Sequence, residues 1–198
     1  MEMIRFETWI NAPLERCFLL SLNIDLHVAS ASSSREQAIE GVTTGLIGEG
    51  QTVTFRGRHL GRWLLHTSRI EAIRPHCYFR DVMVAGSFRR FIHEHHFATM
   101  DDGTRMRDEI QFSAPFGVLG RILARRRLIE LLVERNAVIK RVAESEEWRK
   151  YLDGTVEPQP KTPATEQQSP SKETAKRWDP VRLLRSASRI AVHRQPHI

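Results

Sequence analysis

Two runs of alternating residues on either side of Asp101-Asp102-Gly103 constrain this chain more than any other stretch. From Gly86 to Gly117 it reads GSFRRFIHEHHFATMDDGTRMRDEIQFSAPFG, and Asp-Gly between two period-two runs is a strong hairpin signal. Along the first run Phe91, His93, His95 and Phe97 share one face, opposite Arg90, Ile92, Glu94 and His96. Along the second, Thr104, Met106, Asp108, Ile110 and Phe112 share a face, opposite Arg105, Arg107, Glu109 and Gln111. The charged side of the second run belongs in water, so its other face looks inward. A two-residue Asp102-Gly103 loop sets Phe97 opposite Asp108, and a four-residue loop sets His95 there. Either register brings His93, His95 and Asp108 to one inward face, framed by Phe91, Phe97, Met106, Ile110 and Phe112. Polar groups so placed form either a satisfied buried cluster or the lining of a cavity.

The 198 residues, 40% hydrophobic and 27% charged, suit one domain with an appendage. Cys17 and Cys77 are too few for a disulfide framework. Met1 to Arg5 leads straight into a strand pattern, so no signal peptide is expected. No apolar run approaches the roughly 18 residues that span a bilayer, and the expected compartment is the cytoplasm. The net charge of +6 is split evenly, +3 in residues 153–198 and +3 in the rest. Residues 153–198 carry 8 Lys/Arg against 5 Asp/Glu, which leaves 22 against 19 for the rest. That balance, with no aromatic-basic stripe, argues against a nucleic-acid partner.

Residues 3–10 read as a first strand, stopped by Asn11-Ala12-Pro13, with Asn11 able to cap a short helix from Leu14 to Leu20. A second short helix is expected from Asn23 to about Ala31. Strand patterns follow at 36–41, 50–58, 62–73 and 77–84, the last placing Phe79, Asp81 and Met83 on one side. After Pro115 and Gly117 the period changes to about 3.6. Leu119, Ile122, Leu123, Leu128, Leu131, Leu132, Arg135, Val138, Ile139 and Val142 outline a long amphipathic helix over 118–149. Residues 152–176 collapse to Pro, Thr, Gln, Ser, Lys and Glu and read as a disordered linker. In 177–198, Trp178, Val181, Leu184, Ala187 and Ala191 recur at helical spacing beside Arg182, Arg185 and Arg189. Such a basic amphipathic tail suits peripheral contact with an anionic membrane.

The segments Phe79-x-Asp81, Gly86-x-Phe88, His93-x-His95-x-Phe97, Gly103-Thr104-x-Met106-x-Asp108 and Pro115-x-Gly117-x-x-Gly120, with Gly41, Gly45, Gly48-Glu49 upstream, resemble the START-like SRPBCC superfamily. More narrowly they are similar to its polyketide cyclase/dehydrase and coenzyme Q-binding-like bacterial members. The resemblance covers about residues 3–149. It implies an α+β helix-grip fold over residues 1–151: a curved antiparallel sheet gripping a long C-terminal helix, with a largely apolar cavity between them.

Three kinds of chemistry fit the inward trio. His93 and His95, at i and i+2 on a strand, could chelate a metal with Asp108 as third ligand, although the helical His-Glu-x-x-His arrangement is absent. A His–Asp pair could do acid–base work. The same groups could anchor a mostly apolar ligand, or simply satisfy one another in the core. The reading taken is a binding protein for a hydrophobic or amphipathic small molecule, without cofactor or metal. Its expected ligand-binding residues are Phe79, Asp81, Phe91, His93, His95, Phe97, Met106, Asp108 and Ile110. The alternative is a cyclase- or dehydratase-type enzyme using His93, His95 and Asp108 in the same cavity. A membrane-associated adaptor acting through its tail is a third class.

Overall fold

The computed structural model describes residues 1–59 and 61–153. The expected linker and basic tail lie, from residue 154 onward, outside the described residues. The chain opens with strand β1 (Glu2–Ile10), then helices α1 (Leu14–Leu22) and α2 (Ile24–Ser30). Strands β2 (Gln37–Gly41), β3 (Thr52–His59), β4 (Arg62–Arg74), β5 (Tyr78–Ala85), β6 (Arg90–Met100) and β7 (Gly103–Ser113) follow, then helix α3 (Gly117–Glu144). Each strand sits within about two residues of its expected range. Together they make one antiparallel sheet in the order β1-β7-β6-β5-β4-β3-β2. Register shifts in β4 at Thr67/Ser68 and Ile70/Ala72, and in β2 at Ala38/Glu40, add the local bend by which a sheet curves around a helix.

The hairpin turns differently from the Asp-Gly reading. Met100 pairs with Gly103 and His95 with Asp108, so the loop is Asp101-Asp102, with Asp101 at φ 46°. This is the register expected of a longer loop, reached with a shorter one. Gly103 is already in the strand. A Cβ there would stand 2.5 Å from the Ile10 carbonyl oxygen and 2.9 Å from the Trp9 ring, so the glycine serves the close approach of β1 rather than the turn.

Two other expectations are corrected. Asn11 does not cap α1: that helix starts behind Pro13 with no side-chain cap, and the Asn11 N–H donates to Glu144 Oε1 at 2.7 Å. Asn23 does cap α2, its side chain accepting from the Leu26 N–H. The long helix ends at Glu144 rather than near 149, because Ser145 is extended (φ −115°, ψ 177°) and opens a 3-10 turn, Glu146–Trp148. A last short helix, α4, covers Arg149–Leu152.

The apolar stripe of α3 is buried along only part of its length. Leu128, Leu132, Ile139, Val142 and Ala143 are buried, whereas Leu119 and Ile122 are 67% and 57% exposed. The C-terminal half is held by backbone acceptors: Arg16 Nη1 donates to Ala143 O at 2.9 Å, and Lys140 Nζ to Trp9 O at 2.7 Å. Helical periodicity continues upstream of Leu128, but the sheet beneath it does not close on that end. One core gathers α1, α2, β3, the end of α3 and α4 around Phe18, Leu26, Phe55 and Val142. A second packs Ile4, Phe91, Ile110 and Phe112 against Leu128 and Leu132.

Candidate functional site

Between the sheet and α3 lies a cavity of about 710 Å³, within the usual range for small-molecule sites. Its walls are mainly apolar, with Ile47, Val53, Phe55, Ile70, Leu64 and Leu132 among them. Of the residues singled out in the sequence, Phe79, Asp81, Phe91, His93, His95 and Ile110 line it. Phe97 and Met106 lie instead in the core beneath α1: the Phe18 and Phe97 rings meet edge-on at 5.4 Å, and Ser21 Oγ is 3.6 Å from Met106 Sδ. Asp108 is fully buried behind the two histidines.

The cluster at the cavity wall follows from strand pairing. β5 pairs with β6 so that Phe79 faces His95 and Asp81 faces His93, and β6 pairs with β7 so that His95 faces Asp108. The inward residues of three neighbouring strands thus meet on one face. The His93 and His95 rings lie tilted by 37° with centroids 3.8 Å apart, and Phe79 stacks on His95 at 4.0 Å. Both imidazoles span the gap between the carboxylates. His93 Nε2 is 2.9 Å from Asp108 Oδ1, and its Nδ1 is 3.8 Å from Asp81 Oδ2. His95 Nε2 is 3.1 Å from Asp81 Oδ2, and its Nδ1 is 3.0 Å from Asp108 Oδ1.

Each carboxylate is held from its far side. Asn136 Nδ2 donates to Asp108 Oδ2 at 2.6 Å, and Arg135 Nη1 stands 3.5 Å from Asp108 Oδ1. Ser68 Oγ donates to Asp81 Oδ1 at 3.3 Å and sits 3.1 Å from His66 Nε2. Burial pushes both carboxyls up, but the facing imidazoles outweigh it. Asp108 is held well below the usual carboxylate range, and Asp81 is lowered to about 2. Burial, with the neighbouring His95, lowers His93 to about 4 against the pull of Asp108. The site is therefore two carboxylates and a neutral His93, with Arg135 as its fixed cation.

Several of these groups were not reachable by pattern reading. Arg135 was grouped with the apolar stripe of the helix, and its neighbour Asn136 went unremarked. A charged and an amide residue between Leu132 and Ile139 is the signal that this part of the stripe covers a polar group. Ser68 and His66 fall in the 62–73 run, where apolar residues on both faces blur the alternation. At the other end of the cavity Glu36 faces His27 at 3.7 Å, with His59 also lining the wall. Nothing in the local sequence marks these as neighbours.

No protein-family model matches the chain, and no curated protein matches it in sequence. Solved structures do match in fold. A START superfamily protein from Mycobacterium smegmatis superposes with a TM-score of 0.57 at 9% identity, over 72% of this chain and 97% of that one. A protein from Chromobacterium violaceum gives 0.58 at 13% identity, over 73% and 99%. The major latex-like protein 151 of Panax ginseng gives 0.54 at 13% identity, over 73% and 98%. The described part of the chain thus has the START-like helix-grip fold. No helix among the described residues is long and apolar enough to cross a membrane.

Proposed function

Starting from the START-like helix-grip fold, we propose that the chain binds a hydrophobic or amphipathic small molecule in the cavity between sheet and α3. The observation that carries this reading is the 710 Å³ space itself, with apolar walls and a polar group of three lining residues, Asp81, His93 and His95, at one place. Apolar walls supply most of the binding free energy, and a few converging polar groups fix orientation. Phe79, Phe91 and Ile110 flank the cluster, so a ligand seats an apolar body against α3 and a polar head on the histidines. Asp108 orients them from behind.

Uptake of an apolar fluorescent probe by the full chain tests this, with native mass spectrometry of the purified protein for a co-purifying mass. Leu64 is a half-buried lining residue, and Leu64→Trp fills space without opening a packed core. The variant is expected to lose probe uptake and keep its melting temperature. Equal uptake by both proteins, or none by either, refutes the reading.

A second reading rests on His93. An imidazole held by a hydrogen bond from one nitrogen to a buried carboxylate can exchange a proton with a bound substrate through the other, as in a cyclase or dehydratase. In that case Asp108→Asn lowers turnover far more than affinity. No turnover above background on candidate polyketides removes this reading for those substrates.

A further inference from the structure

The nitrogens of two imidazoles converge on the oxygens of two carboxylates at the cavity wall. A neutral imidazole has one N–H, so it can donate to one carboxylate only, and its other nitrogen presents a lone pair. His95 has carboxylate oxygens at 3.1 Å and 3.0 Å from its two nitrogens, and His93 at 3.8 Å and 2.9 Å. Each ring thus turns one nitrogen toward Asp81 and the other toward Asp108. His95 Nδ1, fully buried, has no hydrogen bond of acceptable geometry. Asp81 Oδ2 faces a nitrogen of each ring, across 3.1 Å to His95 Nε2 and 3.8 Å to His93 Nδ1, so a positive centre among them would be shared by all three.

We propose that Asp81, His93 and His95 bind a divalent transition-metal ion of the zinc or iron(II) class. The ligand atoms are Asp81 Oδ2, His93 Nδ1 and His95 Nε2, which belong to a group lying within 4.8 Å of one another. Ligands about 2.05 Å from a metal stand about 2.9 Å apart at right angles and about 3.4 Å apart in a tetrahedron. The 3.1 Å pair fits between these values, and the 3.8 Å pair closes by a few tenths of an ångström. Of the remaining nitrogens, His93 Nε2 is hydrogen-bonded to Asp108 Oδ1 and His95 Nδ1 stands 3.0 Å from the same oxygen. A carboxylate behind each metal-binding histidine fixes its tautomer and ring orientation. Asp108 in turn is fixed by Asn136, and Asp81 by Ser68. Asp108 thus stands behind the ligands, whereas the metal option weighed from sequence makes it the third ligand.

Two imidazoles and one carboxylate leave coordination positions open, and they open toward the cavity that all three ligands line. A divalent ion there meets the Asp81 carboxylate directly, with Asp108 behind the histidines and Arg135 Nη1 3.5 Å from Asp108 Oδ1. The ligand head it takes is then an oxygen donor, a carboxylate, enolate or carbonyl. A second histidine–carboxylate group, Glu94, His96 and Glu109, does not compete. Its carboxylates are already engaged, Glu94 by Arg80 and Tyr78 at 2.8 Å each and Glu109 by Arg5 and Arg107.

The metal site shares its cavity with the proposed function, but its test uses metal alone, so the two can fail separately. The tag-free full chain, stripped with a chelator, is titrated calorimetrically with zinc and with cobalt(II). The expected result is one equivalent bound at micromolar affinity or tighter. Asp81→Asn and His95→Gln each lose about 100-fold or more, Asp108→Asn loses about 10–100-fold, and His96→Gln binds as the parent does. Where a variant fails to fold by circular dichroism, X-ray absorption of the cobalt-loaded parent decides instead, and must show two imidazoles. The assignment is overturned if the folded parent takes up neither metal at millimolar concentration. It is also overturned if affinity survives Asp81→Asn, follows His96, or if fewer than two imidazoles are found.

Discussion

Replacing Asp108 by asparagine asks how far the fold depends on the carboxylate behind the histidines. Asp108 Oδ1 accepts from His93 Nε2 at 2.9 Å and lies 3.5 Å from Arg135 Nη1, while Oδ2 accepts from Asn136 at 2.6 Å. The substitution keeps the shape but removes the charge. Buried Arg135 is left with neutral acceptors only, Asn136 Oδ1 at 3.1 Å and Ser21 O at 3.4 Å. The new amide also brings a donor face, which meets either the Asn136 amide or an imidazole N–H. Removing one partner of a buried ion pair costs about 3–5 kcal/mol. A lost charge-assisted hydrogen bond contributes about 1.5–3 kcal/mol, and the two overlap because they share atoms. We expect a total of about 3–5 kcal/mol, which in a chain of this size lowers Tm by on the order of 10 °C. Urea denaturation followed by circular dichroism measures it, with an unchanged slope showing that the comparison is fair. Adding Arg135→Met should restore part of the loss, because the stranded cation goes with it. A loss below about 1 kcal/mol, or a double variant no better than the single, refutes the network account.

Three further outcomes are expected. A thiol reagent should label one cysteine in the native chain, the exposed Cys77, because Cys17 is buried and its thiol is pushed up to about 11 by burial; rapid labelling of both is the contrary result. Gly103→Ala should cost about 1–3 kcal/mol by overpacking, since the new Cβ meets the Ile10 carbonyl and the Trp9 ring, and unchanged denaturant stability would count against that packing. Burial lowers His66 and His59, with Asp81 and Glu36 pulling His66 up and His27 and His59 pushing it down. The unfolded chain therefore takes up protons near pH 6.5 while the folded chain does not, and Tm should fall as pH drops from 7 toward 5; a flat or rising Tm by scanning fluorimetry contradicts this.

Sequence alone determined which residues of the hairpin look inward. Side chains alternate with period two, so any antiparallel register in phase with the hydrophobic pattern collects His93, His95 and Asp108 on one face. The strand set and the long helix were legible for the same reason, because period two and period 3.6 are local properties of the chain. What lay between those elements was not local. The register came from β1, whose Ile10 carbonyl and Trp9 ring leave room only for a glycine at 103. The burial of α3 came from where the sheet ends, so Leu119 and Ile122 keep the helical pattern yet stay exposed among the described residues. Asp81 and Asp108 read alike in sequence, each an inward carboxylate on a strand. Pairing across three strands set Asp81 on the cavity wall and Asp108 behind the histidines, where Asn136 and Arg135 of a helix more than 25 residues further along reach it. Which carboxylate faces a ligand and which faces the core depends on the layer packed behind it, and no window of sequence contains that layer.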